Sequence, residues 1–305
     1  MNVNKHFAKD TIRKLCWSLK GQSSTPTFSP MIAGLEPTHK KLVNKWNEQF
    51  EVNSRVERLK FVHVGKCGGT SIVHKFLQKK IIIQEFHNER PSLNEPDWLF
   101  MWIRHPLKRF VSAFNHSKEL IEIDVNKYVE HPPTLYNSQA PMKILTKMEK
   151  GWAFNYEYDN LVKEFESANA LAESLSSSNR KLRGKANRLM QSRVEHIYKG
   201  LGWYLDNGLS IEKNHNRILF VGHLEKMEEC FETLLERIGV DANEFGKVGH
   251  IRNTQSILEK KLSPKGEFNL FNFYQHTDYA ALASLKKWGL VDNDVVDSYY
   301  PTRGK

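Results

Sequence analysis

The sequence predicts an α/β fold in three layers, with a central, mostly parallel sheet flanked by helices. Three observations point there. Short runs of strand length recur along the chain, each is followed by a stretch with helical patterning, and one run is apolar at every position. Strands alternating with helices produce a parallel sheet, because each helix returns the chain to the same end of it. A strand that helices cover on both faces needs no polar side.

The first such unit begins at Leu59-Lys60-Phe61-Val62-His63-Val64, a β-prone run that ends in a glycine-containing loop, and continues as a helix from Ser71 to Lys79. The second run, Trp98-Leu99-Phe100-Met101-Trp102-Ile103, is the uninterrupted apolar one. Pro106 then opens a helix, since proline fits the first helical turn. In that helix Leu107, Phe110, Val111 and Phe114 fall at i, i+3, i+4 and i+7 and form the buried stripe, which points Arg109 and Ser112 elsewhere. The third unit is Arg217-Ile218-Leu219-Phe220-Val221-Gly222, with a helical stretch from about Leu224 to Ile238.

These units set the domain organisation. Residues 56–291 form one domain, with a helix-rich insertion at about 120–215 that is broken by Ser176-Ser177-Ser178-Asn179. After that break, Arg180, Lys181, Arg183, Lys185, Arg188 and Arg193 make a basic stretch, read as a solvated helix face or a polyanion groove. Residues 1–55 form a partly helical basic extension and 292–305 a tail. No internal repeat is present.

With 305 residues the chain can bury a substantial core. Its formal net charge of +10 favours anionic partners. Cys16, Cys67 and Cys230 are odd in number and lack CxxC spacing, which argues against a disulfide framework and a zinc site. No run of about 18 apolar residues and no signal-type apolar core appears, so the expectation is a soluble cytoplasmic protein with no integral membrane span. Aromatic-interleaved nucleic-acid motifs are absent, and nucleic acid is not an expected partner.

The loop after the first strand reads Val64-Gly65-Lys66-Cys67-Gly68-Gly69-Thr70-Ser71. Paired glycines admit an anion close to the backbone, the following helix directs free N–H groups and its positive end at it, and Lys66, Thr70 and Ser71 add donors. A Walker loop places lysine after its last glycine and directly before the hydroxyl residue. Here the lysine comes first, which weakens an NTPase or kinase reading. Arg104 ends the second strand, where α/β sheets bind ligands and a guanidinium suits bidentate phosphate contact. Two anion sites on neighbouring units suit a nucleotide carrying phosphates at both ends.

On these residues the chain resembles the carbohydrate sulfotransferases that use 3′-phosphoadenosine 5′-phosphosulfate (PAPS), the sulfotransferase family 2 type. The likeness lies in His63-Val64-Gly65-Lys66-Cys67-Gly68-Gly69-Thr70-Ser71 and in Arg104-His105-Pro106-Leu107-Lys108-Arg109-Phe110-Val111-Ser112-Ala113-Phe114. It extends more loosely to Phe220–Glu225 and to the stretch holding Tyr274, Asp278 and Tyr279, and so covers residues 59–291. The resemblance implies a P-loop-like fold. It also implies a 5′-phosphosulfate held by Lys66, Gly68, Gly69, Thr70 and Ser71, and a 3′-phosphate held by Arg104 and Ser112. The desulfated nucleotide, PAP, would be the product, no metal is required, and the acceptor would be a hydroxyl, on a carbohydrate in many relatives. Relatives also place a histidine just before the second motif, which makes His87 the expected general base. Glu85 is the alternative, and His196 and His116 are further candidates to line the pocket. His63 is expected to be strand-bound beneath the donor loop, packing there or touching its backbone.

Two departures stand out. Many relatives have aspartate where this chain has His105 and another residue where it has Cys67, which is either a reactive thiol activated by the helix end and Lys66 or a tolerated loop residue. Anchored secretory-pathway relatives exist. A nucleotide kinase and a non-catalytic polyanion-binding module are the competing readings, and neither acceptor nor oligomeric state follows from the sequence.

Overall fold

The computed structural model describes residues 58–79, 81, 83–92, 97–122, 156–194, 196–248 and 260–301. The predicted extension at 1–55 and the part of the insertion at 123–155 lie outside them. Strand β1 (Leu59–Val62) leads through a tight loop into helix α1 (Gly69–Gln78), and β2 (Gln84–Phe86) and β3 (Trp98–Ile103) follow. Helix α2 (Pro106–Glu122) leaves β3. The helical region comprises α3 (Tyr156–Lys163), α4 (Ala168–Ser174), α5 (Arg180–Gln191), α6 (Leu201–Tyr204) and α7 (Leu209–Asn214). Strand β4 (Ile218–His223) and α8 (Met227–Arg237) form the last strand–helix unit, before α9 (Pro264–Tyr274), α10 (Asp278–Lys287) and α11 (Asn293–Asp297).

Among the described residues the sheet has four strands in the order β2-β1-β3-β4, and all neighbours pair in parallel. The fold is therefore α/β, as the alternating pattern predicts. Every residue of β3 and β4 is buried. On one face Phe61, Phe100 and Trp102 meet Phe76 of α1 and Phe231 of α8, with Phe61 stacked on Phe100 at 4.7 Å. Gly222 pairs with Trp102 across β3 and β4, and a Cβ there would lie 2.5 Å from the indole. On the other face Leu99 looks toward Leu205, Ser210 and Asn214 around α7. Helices thus cover both faces.

The chain steps from β1 to β2 on one side and then jumps to β3 on the other. The direction of winding reverses between β1 and β3, and such a switch point opens a crevice at the carboxyl ends of the two strands. The loop 63–68 and Arg104 both sit there.

The structure differs from the sequence expectation in three places. Strand β2 has no counterpart in the apolar pattern: it is a short edge strand, Gln-Glu-Phe, with only Phe86 buried. The packed body does not stop at 291, because α11 follows and Val296 and Tyr299 are buried. Finally, Arg109 does not point away from the core. It is 1 % exposed, because Asp278 at the start of α10 comes over helix α2 to meet it.

Candidate functional site

The loop between β1 and α1 turns twice through left-handed backbone, at Lys66 (φ 71°) and at Gly68 (φ 83°). L residues rarely adopt that conformation, so Gly68 is required by its torsion. Helix α1 starts at Gly69, two residues earlier than the pattern suggests, and no side chain caps it. Among the described residues the N–H groups of Gly68, Gly69 and Thr70 find no backbone acceptor and point from the positive end of a ten-residue helix. Ser71 is fixed by its N–H bond to the Gly68 carbonyl at 3.0 Å.

The glycines also have a second reason that the sequence conceals. A Cβ at Gly69 would lie 2.1 Å from the His63 ring, one at Gly68 2.4 Å from Met227, and one at Gly65 2.3 Å from His196. Protein side chains, packed from below, occupy the space a methyl group would need. Cys67 points into this packing, is 1 % exposed, and its thiol is pushed up to about 12 by burial. That overturns the reactive-thiol alternative, since the desolvation outweighs the nearby arginines.

Arg104 reaches across from β3, and its Nη1 donates to the Lys66 carbonyl at 3.3 Å. The two predicted anion elements are therefore joined at the switch point. Next to it, His105 caps the helix that follows. Its Nδ1 accepts the N–H of Leu107 at 3.2 Å, so the imidazole does the capping at the start of α2 that a carboxylate would do. Its own N–H donates to Glu225 at 3.4 Å. Burial lowers the His105 pKa to about 4, which keeps the accepting lone pair available. Ser112 lies two turns further along α2 on a partly exposed face, with Lys108 exposed one turn before it.

Strand β2 delivers the segment expected to hold the base. Glu85 Oε2 is 2.9 Å from His63 Nδ1. The His63 N–H donates to the Phe86 carbonyl at 3.1 Å, and His87 Nδ1 lies 3.4 Å from the His63 carbonyl. The rings of His63 and His87 are 4.2 Å apart, His87 and His196 5.5 Å, and His196 and His116 6.0 Å. The four histidines singled out from the sequence thus form one row beneath and beside the loop. His63 lies under Gly69 as expected, but one residue beyond β1 rather than within the strand.

The residue that sequence reasoning missed is Arg109. Its Nη1 donates to the His196 carbonyl at 2.7 Å, its Nε lies 3.4 Å from Asp278 Oδ2, and its guanidinium sits 5.6 Å from the Tyr274 ring centre. Asp278 accepts the Gly202 N–H at 2.9 Å. The signal was present in the loose resemblance at Tyr274 and Asp278, but nothing in the pattern linked it to α2. A cavity of about 250 Å³ lined by Pro91, Leu99, Leu205, Ser210, Asn214 and Ile218 opens at the other end of the sheet, where β3 and β4 begin, and takes no part in this site.

Among the described residues no group of three or more His, Cys, Asp or Glu side chains is arranged to hold a metal, and no helix is long and apolar enough to cross a membrane. No protein-family model, curated protein or solved structure matches the chain.

Proposed function

We propose that the protein is a sulfotransferase that moves the sulfuryl group of PAPS to an acceptor hydroxyl on a carbohydrate. The observation that carries the reading is the bond from Arg104 to the Lys66 carbonyl, which brings an uncapped helix start and a strand-end guanidinium to one crevice. In this reading Lys66, Gly68, Gly69, Thr70 and Ser71 hold the 5′-phosphosulfate, and Arg104 with Ser112 holds the 3′-phosphate. Both sets of groups are donors or cations, which is what two anionic ends of one nucleotide require.

The acceptor oxygen forms a bond to sulfur in line with the bond that breaks, between sulfur and the bridging oxygen, whose electron pair leaves with PAP. Lys66 and the α1 amides offset the charge that develops on that oxygen. The acceptor proton passes to His87. A carbonyl can only accept, so His87 carries its hydrogen on Nδ1 toward the His63 carbonyl, and Nε2 keeps the lone pair that a base needs. Glu85 is the weaker candidate, since its carboxylate is already engaged with His63.

A non-catalytic polyanion-binding module is the second reading, favoured by the exposed Arg180, Lys181, Arg183 and Arg188 on α5. Calorimetry with PAP, ATP and a heparin-like polymer separates the readings. PAP is expected to bind and ATP not, and Arg104→Ala is expected to weaken PAP at least about tenfold, as loss of a charge-assisted contact of 1.5–3 kcal/mol does. Binding of ATP without PAP would overturn the proposal in favour of a kinase, and binding of the polymer alone would favour the module.

A further inference from the structure

We propose that Glu85 and His63 form a positioning pair for His87, in which the carboxylate orients the His63 imidazole and supplies the counter-charge when His87 takes up a proton. The inference rests on the reading of His87 as the base. Neither Glu85 nor His63 is asked to touch substrate.

His63 grips the segment that carries His87 at three points: its N–H on the Phe86 carbonyl, its Nδ1 on Glu85 and its carbonyl on His87 Nδ1. A carboxylate accepts, so His63 directs the Nδ1 hydrogen at Glu85 and turns its other ring edge to Gly69, where a Cβ would lie 2.3 Å from Nε2. Phe61 stacks behind the ring at 5.3 Å and 21°. The imidazole is therefore fixed on all sides, and it holds the donor loop and the base segment in one register.

The electrostatics give the pair its second role. Among the described residues, the groups placed near His87 include Glu85 from β2, His63 from the loop after β1 and His196 from the segment after α5 with His116 of α2 behind it, while the Tyr204 hydroxyl of α6 accepts the N–H of the neighbouring Asn88 at 3.2 Å. Burial pushes the Tyr204 hydroxyl up to about 12, so it stays neutral. Of these groups Glu85 alone is an anion at neutral pH. Burial pushes its pKa up, yet the His63 hydrogen bond and the charge of the two imidazoles bring it below the usual carboxylate value. A proton arriving on His87 beside three other imidazoles meets the Glu85 counter-charge. Without it the protonated state loses its partner and the base weakens.

The test is a ring-proton NMR titration of His87 in the intact chain, comparing wild type, Glu85→Gln and His63→Asn, with PAP calorimetry on the same samples. The Glu85 side chain is 39 % exposed on an edge strand, so the glutamine variant disturbs no core. Glu85→Gln is expected to lower the His87 midpoint by about one pH unit with PAP affinity unchanged within about twofold. His63→Asn, whose amide can still donate to Glu85, is expected to leave the midpoint within a few tenths. An unchanged midpoint in Glu85→Gln overturns the pair. So does loss of PAP binding in that variant alone, because it would make Glu85 a donor-site residue. If wild type itself fails to bind PAP, the sulfotransferase reading falls while the titration still decides whether the pair controls His87.

Discussion

Arg109 is almost wholly enclosed, and its charge is compensated there by Asp278 and by the His196 carbonyl. The cost of enclosing a guanidinium is large, and a partner that is equally enclosed offsets it only while both are present. The pair also matters to the site. Arg109 holds the His196 backbone, and the His196 ring occupies the place of a Cβ at Gly65, so the ion pair supports the β1–α1 loop through one intermediate residue. Arg109→Met and Asp278→Asn are each expected to cost about 3–5 kcal/mol in urea unfolding, because each leaves the other charge unpaired. The double variant is expected to cost clearly less than the sum. Single variants that lose under about 1 kcal/mol would mean that water already solvates the pair.

At the scale of elements, α2 is the part of the site most dependent on a titratable group, because His105 caps it only while Nδ1 is unprotonated. His223 at the end of β4 is also kept neutral, but by burial and with the opposite role for its Nδ1. The Tyr299 hydroxyl donates to Glu225 at 2.8 Å, so His223 Nδ1 must donate to that hydroxyl at 3.3 Å, and burial lowers the His223 pKa to about 4 as well. Both folded pKa values lie below the ordinary histidine value of about 6.5, so the unfolded chain binds more protons between the two. Their stabilisation is complete above pH about 6.5 and is lost progressively as pH falls toward about 4. In urea titrations from pH 7 to pH 5, His105→Asn is expected to keep the cap and reduce this acid loss. An unchanged slope would count against His105 as its source. The same elements show how much was legible. The apolar runs of β1, β3 and β4 and the stripe of α2 locate the sheet and the site, since burial on both faces leaves a continuous pattern. Strand β2 leaves none, because an edge strand of three residues with two exposed positions forms through its pairing with β1 rather than through its own composition. Arg109 reads as a surface charge for a similar reason: its partner is remote in sequence, and periodicity carries no information about it. The glycines of the loop were legible as glycines, but half of their cause, the packing of His63, Met227 and His196, is tertiary.

Across the whole molecule, the sheet order puts the site at the β1–β3 switch point, and the C-terminal segment closes the adjoining end of β4. Tyr299 is 2 % exposed and Val296 fully buried. The Tyr299 hydroxyl holds Glu225, its carbonyl accepts from the Tyr279 hydroxyl at 3.0 Å, and its ring lies 5.1 Å from His105. Glu225 in turn accepts the His105 N–H, so the segment after residue 291 is tied to the start of α2 and, through it, to Arg104. Removing a buried aromatic costs about 3–5 kcal/mol and a buried valine adds to it, a sum comparable with the total stability of an ordinary domain. Ending the chain at Val291 is therefore expected to lower the melting temperature by at least about 10 °C, at 2–4 °C per kcal/mol for a chain of this size. Tyr299→Phe keeps the ring and removes only the hydroxyl, which leaves Glu225 and His223 without their shared partner. It is expected to give a smaller fall in melting temperature, with a steeper loss of stability below pH 6 than wild type. A truncated chain that melts like the intact one would show that the sheet and α2 hold their geometry without the segment, and would return the boundary of the folded unit to residue 291.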